Sequence, residues 1–435
     1  MKKFTFIVAF ISLYLSLSAQ DTLKLEEAIN LGLEYNFDIK LAENQTRIAA
    51  NNHSLGNAGF LPRADLNGSV GWTRENTNFE FATGEEQSRD GAKSRNINAN
   101  AVANWVVFDG GRMFHTLEKL NQLKIAENLE TARVIESIVA DLTDAYYLVV
   151  LNQARREVLI NNLRLSKQRI DISKAKYNIG KASKLEYLAA QVDYNEDTSA
   201  LVNQVQALYE AKVNLNIIMG IDVSENYNVE SAIEVNADLD EEKLKDDMYY
   251  NNTQLKISER QENIASLEIE EIRAENYPQL NLNLGYEINR VNAEAGFILS
   301  RRSMGFNYGA SATWNIFNGL NLHRRKQNAE IQKQNAEIAT SQLNQNLHAQ
   351  FIKRYSEYAS SLVLLQMEQE NLAVAKENAD IALDRYNIGN TNALELREAQ
   401  QNLVDAESRL LNAAYTVKIA ETELLRLSGQ LVNFY

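Results

Sequence analysis

The residue types that most often carry out chemistry are scarce in this chain. Its 435 residues include no cysteine, which excludes a disulfide framework, a thiolate metal site and a cysteine nucleophile. The four histidines lie far apart, and none has a second histidine or a carboxylate at the spacing of a metal site; they are His53, His115, His323 and His348. We therefore expect no catalytic residues, no metal and no cofactor.

Phosphate and nucleic-acid recognition are also poorly supported. Gly110-Gly111 lacks the remainder of any phosphate-binding loop and is more typical of a turn between a strand and a helix. The formal net charge is −14, whereas a protein that binds nucleic acid needs a basic face. A short basic run at residues 324–326 fits a solvated or membrane-proximal helix start better than a ligand site. Energy for any active process would have to come from a partner.

The N-terminus is typical of a secretory signal. Residues 1–3 include two lysines, residues 4–17 are mostly apolar, and residues 18–19 offer a cleavage point. We predict a signal peptide over 1–19, with an N-terminal membrane anchor as the alternative. No later stretch approaches the ~20 apolar residues of a transmembrane helix, so entry into a membrane would require a closed β-barrel.

Two sequence motifs occur twice at one spacing. Tyr-Asn-Ile-Gly stands at residues 177–180 and again at 386–389 (386 − 177 = 209), and the motif at residues 105–110 returns at 314–319 with the same offset. Solenoid repeats are far shorter, at roughly 20–50 residues. We therefore predict two domain-sized repeats. The predicted divisions are a first repeat over 20–220, a linker over 221–240, a second repeat over 241–428 and a tail over 429–435.

Each repeat contains a pair of runs with the periodicity of strands. Pro62 and Pro278 each open a run in which polar and apolar residues alternate, and a period of two residues indicates a β-strand. We predict strand pairs within 63–108 and 279–317. In the clearest run the apolar positions are Leu280, Leu282, Leu284, Tyr286 and Ile288.

The alternating runs favour a membrane barrel. Runs of about 11 residues with aromatic residues near their ends match the strands of outer-membrane barrels. The polar positions are Asn, Ser, Thr and Gly with few charges, which suits a water-filled lumen. A half-buried sheet in a soluble sandwich would show the same alternation and is the alternative. The polar segments 73–95 and 290–302 are predicted to be loops outside the cell.

A barrel built from this chain would have to be shared between copies. One chain supplies four predicted strands, and an open sheet of four strands would expose unpaired edges to lipid. Two chains would supply eight strands around a plugged interior, and three chains would supply twelve strands around a pore.

Long helices follow each predicted strand pair. The segments 112–176 and 321–385 contain neither proline nor glycine, and a helix of that length spans about 100 Å. Each runs into a Tyr-Asn-Ile-Gly motif, whose glycine is a typical helix stop, and a shorter helix then returns. The predicted helices are 25–60, 112–176, 185–218, 241–276, 321–385 and 394–427.

The last predicted helix has the spacing of a coiled coil. Its seam alternates leucine or valine with alanine and consists of Leu396, Ala399, Leu403, Ala406, Leu410, Ala413, Val417, Ala420 and Leu424. Large residues beside small ones suit close antiparallel packing. An ordinary amphipathic helix of a globular bundle is the alternative, although such helices rarely exceed about 25 residues.

Taken in order along the chain, these features resemble the TolC family of outer-membrane efflux channels. The resemblance covers almost the whole chain after residue 20, through the duplication, the strand entries at residues 59–62 and 276–279, the strand exits and both Tyr-Asn-Ile-Gly motifs. It implies a mainly α fold with a β-barrel part. In a homotrimer, a twelve-stranded outer-membrane barrel would continue into a periplasmic tunnel of antiparallel coiled-coil helices.

The same resemblance assigns partners and roles. The partners would be a periplasmic adaptor protein, an inner-membrane transporter and outer-membrane lipid. The hairpin tips that dock the adaptor correspond to Tyr177, Gly180, Tyr386 and Gly389. The strand–helix junctions correspond to Pro62, Pro278, Gly110 and Gly319.

Acidic residues just past the tips ring the periplasmic aperture in that family. The matching positions here are Glu186, Glu395 and Glu398. Three copies would cluster these carboxylates at a narrow mouth, which would favour cations. Solvated glutamates at helix N-termini, favoured by the helix dipole, are the alternative. Some family members close the aperture with an arginine where this chain has Thr391, so the closing bonds must differ here.

The sequence favours a passive exit duct in the outer membrane of a Gram-negative bacterium. The duct would serve a tripartite efflux pump or a type I secretion system, and both remain open. An exported coiled-coil structural protein or adhesin with a soluble sheet is the alternative. An exported enzyme is disfavoured, since no catalytic constellation is found.

Overall fold

A computed structural model describes residues 22–434 of the chain, so the predicted signal peptide over 1–19 lies outside the described residues. The described part is mainly helical, as the sequence predicts. The helices are α1 (Leu25–Tyr35), α2 (Phe37–Asn52), α3 (Arg112–Asn178), α4 (Lys184–Met219), α5 (Glu241–Asn251), α6 (Thr253–Ala274), α7 (Asn321–Asn387), α8 (Ala393–Leu427) and α9 (Leu431–Phe434). The strands are β1 (Thr22–Leu23), β2 (Arg63–Glu80), β3 (Glu86–Asp109), β4 (Asn228–Val229), β5 (Gln279–Ala293) and β6 (Ser300–Thr313). Within residues 22–434, no helix combines the length and apolar character needed to cross a bilayer.

Packing divides the chain into two compact units. The helical unit comprises the described residues up to Lys40 together with 134–252 and the residues from Leu347 onward. The strand unit comprises 41–133 and 253–346. Of the four boundaries between the units, three fall inside α2, α3 and α7, and the fourth falls between α5 and α6. These units follow packing density rather than sequence repetition, and the division into two repeats stays a prediction.

The strand unit contains one antiparallel sheet with the order β2-β3-β5-β6. One row across it joins Leu66 to Ala101, Ala101 to Tyr286 and Tyr286 to Phe306, so strands from both predicted repeats share the sheet. Residues directly opposite each other point to the same side of a sheet. The apolar face is therefore continuous across all four strands.

The strands extend further than the sequence predicted at the hairpin ends. β2 and β3 leave only residues 81–85 between them, and β5 and β6 leave only residues 294–299. The prediction that the whole of 73–95 and the whole of 290–302 form loops was therefore wrong. Backbone groups form the ladder whatever the side chains are, so the strands continue where the apolar alternation stops.

The second predicted strand pair ends earlier than expected at its other end. β6 stops at Thr313, which pairs with Gln279, rather than continuing to residue 317. Gln279 is the first residue of β5 and follows Pro278, which has no N–H group to extend a ladder. Trp314 leaves the sheet, and its indole N–H donates to the carbonyl of Asn276 at 2.9 Å.

Both helices predicted upstream of the prolines are broken by an asparagine. Asn36 separates α1 from α2, and its Oδ1 accepts hydrogen bonds from the backbone N–H groups two and three residues later. Its amide group donates to the carbonyl of Ile218 at 2.8 Å. Asn252 separates α5 from α6 and donates to the carbonyl of Leu427 at 3.0 Å. The single long helices predicted over 25–60 and 241–276 were wrong, because each asparagine binds the end of another helix.

A glycine packs closely against the backbone at each of these two helix breaks. Gly220 and Gly429 follow α4 and α8, with φ of +72° and +68°. A Cβ added to Gly220 would lie 2.6 Å from the carbonyl oxygen of Tyr35, and one added to Gly429 would lie 2.8 Å from that of Asn251. Both positions therefore need glycine for the backbone conformation and for the close approach.

The core of the helical unit collects long apolar side chains from several helices. Its fully buried members include Leu142, Val149, Leu215, Met219, Met248, Leu424 and Leu431. The predicted linker over 221–240 is ordered against this unit. Its strand β4 pairs in parallel with β1, and Tyr358 donates to the carbonyl of Asn236 at 2.6 Å.

Candidate aperture site at the hairpin tips

The two hairpin tips have the same backbone. After α3 and α7, Gly180 and Gly389 adopt left-handed conformations with φ of +74° and +84°. In both tips the next residue donates its N–H to the carbonyl five residues earlier at 2.8 Å. This bonding pattern ends a helix and satisfies carbonyls that would otherwise lack partners. The repeated Tyr-Asn-Ile-Gly motif therefore encodes a repeated helix stop.

The return helices also begin alike. The side chains of Ser183 and Asn392 cap α4 and α8 by accepting the backbone N–H groups of Glu186 and Glu395, at 3.2 and 2.9 Å. Both glutamates therefore lie in the first helical turn, where the helix dipole favours negative charge.

The two tip tyrosines have different surroundings. Tyr386 is completely buried, whereas Tyr177 is 40% exposed and stacks on Tyr187 with ring centroids 6.3 Å apart. The Tyr386 hydroxyl lies 3.0 Å from the Ser173 hydroxyl and donates to the Glu186 carboxylate at 3.2 Å. The second tip is thereby bonded to both helices of the first hairpin.

Lys176 strengthens the same junction. Its ammonium group donates to the carbonyl of Tyr386 at 2.9 Å and lies 3.6 Å from the centre of the tyrosine ring. This position allows a cation–π interaction. Burial raises the pKa of the Tyr386 phenol above its ordinary range, so at neutral pH the phenol keeps the proton that it donates to Glu186.

Glu395 is held within its own hairpin. Arg385 lies 3.0 Å from one carboxylate oxygen of Glu395, and the Thr391 hydroxyl donates to the other. Arg385 and Thr391 thus both contact Glu395 within the second hairpin. Glu398 is exposed on α8. One chain thus brings Glu186 and Glu395 into defined contacts, and a ring formed by three copies stays a prediction.

Sequence reasoning missed a buried charge cluster, which consists of Ser166, Arg169, Asp193, Asp197 and Arg397. Arg397 binds both carboxylate oxygens of Asp197 at 3.0 Å, and the Ser166 hydroxyl donates to the same carboxylate. Arg169 has a side chain only 1% exposed and lies 2.8 Å from Asp193. Burial lowers the pKa of its guanidinium group. The cluster bonds α8 to α3 and α4.

One residue of the charge cluster left a signal in the sequence. Asp197 lies seven residues after Ala190 and fourteen before Ala211, both buried, so it occupies a seam position of α4. A charge on such a seam needs a buried partner. Its partner Arg397 is on a helix 200 residues away, and no spacing within either helix identifies it.

The strand–helix junctions lie in the strand unit. Pro62 and Pro278 directly precede β2 and β5. Gly110 and Gly319 have φ of +77° and +67°, and a Cβ on Gly110 would collide with the carbonyl oxygen of Ala274. Across residues 22–434, no group of three or more histidine or carboxylate side chains is arranged to hold a metal ion.

Comparison with known proteins defines the class. The model of the outer membrane efflux protein family matches residues 28–221 and 246–430, so the chain belongs to that family. It is an outer-membrane protein with a large periplasmic portion, and it provides an exit duct for efflux or secretion. The resemblance to TolC-family channels is thereby confirmed.

Individual relatives agree with this assignment. Protein CyaE of Bordetella pertussis is 22% identical over 421 residues, which cover 94% of this chain and 85% of CyaE. The outer membrane protein VceC of Vibrio cholerae is similar in structure, with a TM-score of 0.74, 14% identity and coverage of 93% and 96% of the two chains. The open state of the MtrE outer membrane channel of Neisseria gonorrhoeae is also similar in structure, with a TM-score of 0.72 and 16% identity. The match covers 94% of this chain and 89% of the MtrE chain.

Proposed function

We propose that three copies of the chain join their sheets into one shared twelve-stranded barrel. The open sheet supports this most directly: among the described residues, the edge strands β2 and β6 each pair with one neighbour only. Lipid cannot satisfy the unpaired backbone groups of such edges. Pairing β6 of one copy with β2 of the next keeps every neighbour antiparallel. Three copies give a pore, whereas two would give a plugged interior.

The exposed apolar face of the sheet supports the same assembly. Trp72 is 72% exposed, Phe306 74% and Tyr308 83%, and all three lie on the continuous apolar face. A soluble protein rarely leaves so large an apolar surface open to water. In the proposed barrel this face would contact lipid, and the opposite, polar face would line the lumen.

The hairpin tips would form the periplasmic aperture. The bond between Tyr386 and Glu186 holds the second hairpin against the first within one chain, so breaking it would free the second hairpin to move outward. Glu395 and Glu398 of three copies would add negative charge at the same mouth, which favours cations.

The tips would also dock the partners. Each presents two exposed apolar side chains at equivalent positions, which are Ile179, Leu185, Ile388 and Leu394, all at least 68% exposed. Three copies would offer six such pairs of side chains to a periplasmic adaptor protein. In this proposal the chain is a passive duct with no catalytic role, and an inner-membrane transporter provides the energy.

The test is the mass and conductance of the mature chain purified in detergent. We expect a complex of three times the chain mass that forms pores of low conductance, and we expect the conductance to rise in the variant Glu395→Ala/Glu398→Ala. A trimer whose conductance is unchanged by those substitutions would support the channel and contradict the acidic gate. A protein that is soluble without detergent and forms no pores would support the structural or adhesin alternative.

A further inference from the structure

A row of basic residues continues the apolar face of the sheet toward the hairpin loops. All five members are exposed, and they come from all four strands; the basic row consists of Arg74, Lys93, Arg95, Arg290 and Arg302. These residues fall in the segments that the sequence predicted to be loops. The strands give their side chains a defined direction that a loop would not.

Strand register places the basic row on the apolar side. Ile288 and Met304 are opposite each other on the apolar face, and the next pair on that face is Arg290 with Arg302. On the same face, between β2 and β3, Trp72 is opposite Arg95. The next pair on the same face is Arg74 with Lys93. The basic row therefore borders the apolar band directly, since residues two apart on a strand share a face.

The basic row has little internal compensation. Two like-charged pairs, Arg290 with Arg302 and Arg74 with Lys93, are directly opposite across strands, an arrangement that is destabilising by itself. Within residues 22–434, none of the five charged side-chain groups has a carboxylate oxygen within 4.0 Å. The Glu294 carboxylate at the end of the row accepts the backbone N–H of Lys93. Arg95 lies over the ring of Trp72, 5.7 Å from its centre.

We propose that the basic row binds the phosphate groups of lipids in the outer leaflet of the outer membrane. This inference rests on the proposed function, in which the apolar face contacts lipid and the hairpin loops lie at the cell surface. Basic and aromatic residues that border an apolar band lie at the height of the lipid headgroups. One guanidinium group can bind two phosphate oxygens through two parallel hydrogen bonds. A phosphate between two opposed arginines would also reduce the repulsion between their charges.

The chain offers a matched control for this proposal. Arg301 is the neighbour of Arg302 in β6 and is also exposed, but it pairs with Val291 and points to the opposite face. Arg301→Gln therefore removes the same charge from the same strand without changing the basic row.

The experiment measures binding of lipid A to the purified trimer in neutral detergent. The probes are bisphosphorylated lipid A and its dephosphorylated form. We expect the wild type to prefer the phosphorylated form and to lose that preference as salt is raised. Each basic residue near a charged lipid surface contributes about fivefold to binding, so Arg290→Gln/Arg302→Gln should bind phosphorylated lipid A about 25-fold more weakly. Arg301→Gln should bind it like the wild type.

Equal binding of the two lipid forms would overturn the inference, and so would an equal loss in Arg301→Gln. Mass and conductance measured on the same preparations separate this failure from failure of the proposed function. Trimers that form pores without a phosphate preference overturn the basic-row inference alone. A soluble protein without pores overturns the proposed function, and the inference with it.

Discussion

The two hairpin tips share a backbone and differ in what their side chains contact. Both have a left-handed glycine and a capped return helix, yet Tyr386 is completely buried and Tyr177 is 40% exposed. The residues before these tyrosines have diverged as well: Lys176 contacts the opposite hairpin, whereas Arg385 contacts Glu395 of its own. Positions that shape the backbone are equivalent in the two halves, and positions that join the hairpins are not.

The buried charge cluster shows the same contrast. The residue 209 positions after Asp197 is Ala406, which is completely buried, and the residue 209 positions before Arg397 is Leu188, which is 44% exposed. One half therefore has a carboxylate where the other has a methyl group. The two tips therefore have the same backbone conformation, although the carboxylates of the buried charge cluster all lie in the first hairpin.

The largest expected effect comes from removing the buried carboxylate. Asp197→Ala leaves Arg397 without its closest partner beside the buried Arg169, and losing one member of a buried ion pair costs about 4 kcal/mol. Urea unfolding of the detergent-solubilised protein, followed by circular dichroism, should show this loss. Glu196→Ala is the control, because Glu196 lies 3.6 Å from the same arginine but is 72% exposed.

A double variant sharpens this comparison. Asp197→Ala/Arg397→Leu installs the residue types that the other half has at these positions, and replacing both members of a buried pair by apolar residues is often neutral. We expect it to recover most of the stability lost in Asp197→Ala. A double variant as unstable as the single one would show that the two sites are not equivalent in packing.

Truncating the two tip tyrosines should give unequal results. Tyr386→Ala removes a completely buried ring and its bonds to Ser173 and Glu186, at a cost of about 3 kcal/mol. Tyr177→Ala should cost under about 1 kcal/mol, since the ring is partly exposed. Conductance should rise in Tyr386→Ala only. Equal effects of the two substitutions would remove the asymmetry between the tips.

Alkaline pH should loosen the second tip by ionising the Tyr386 phenol, which is a smaller change than removing the ring. Burial raises the folded-state pKa of Tyr386 above its ordinary value of 10.0. The folded state therefore favours the neutral phenol, and this contribution is complete below the unfolded pKa and lost as pH rises through the folded pKa. Conductance of the wild type should increase above about pH 10 more than that of Tyr386→Phe, which cannot ionise there. Lys176, which contacts the ring, is present in both proteins, so the comparison isolates the phenol. Identical alkaline profiles would exclude Tyr386 as the titrating group.

The sequence predicted what local patterns determine. The glycine and tyrosine at each tip, the alternation in the strands and the absence of proline and glycine from the two 67-residue helices can each be read from consecutive residues. The breaks at Asn36 and Asn252 were missed because an asparagine inside a helix pattern becomes a break only when another helix end accepts its amide. The charge cluster was missed for the same reason, since its members meet only after the hairpins pack.

The smallest expected effects on stability come from the tip glycines, where the two tips have the same backbone conformation. Gly180 and Gly389 have similar positive φ, and an added Cβ would meet nothing within 4 Å at either position. Alanine at either one should therefore cost only the left-handed backbone penalty of about 1 kcal/mol, equally in both tips. Gly220→Ala is the contrasting control, because its Cβ would also approach the carbonyl oxygen of Tyr35 to 2.6 Å. It should cost more than either tip substitution in the same urea experiment. Unequal costs at Gly180 and Gly389 would show that the two tips differ in backbone constraint as well as in side-chain contacts.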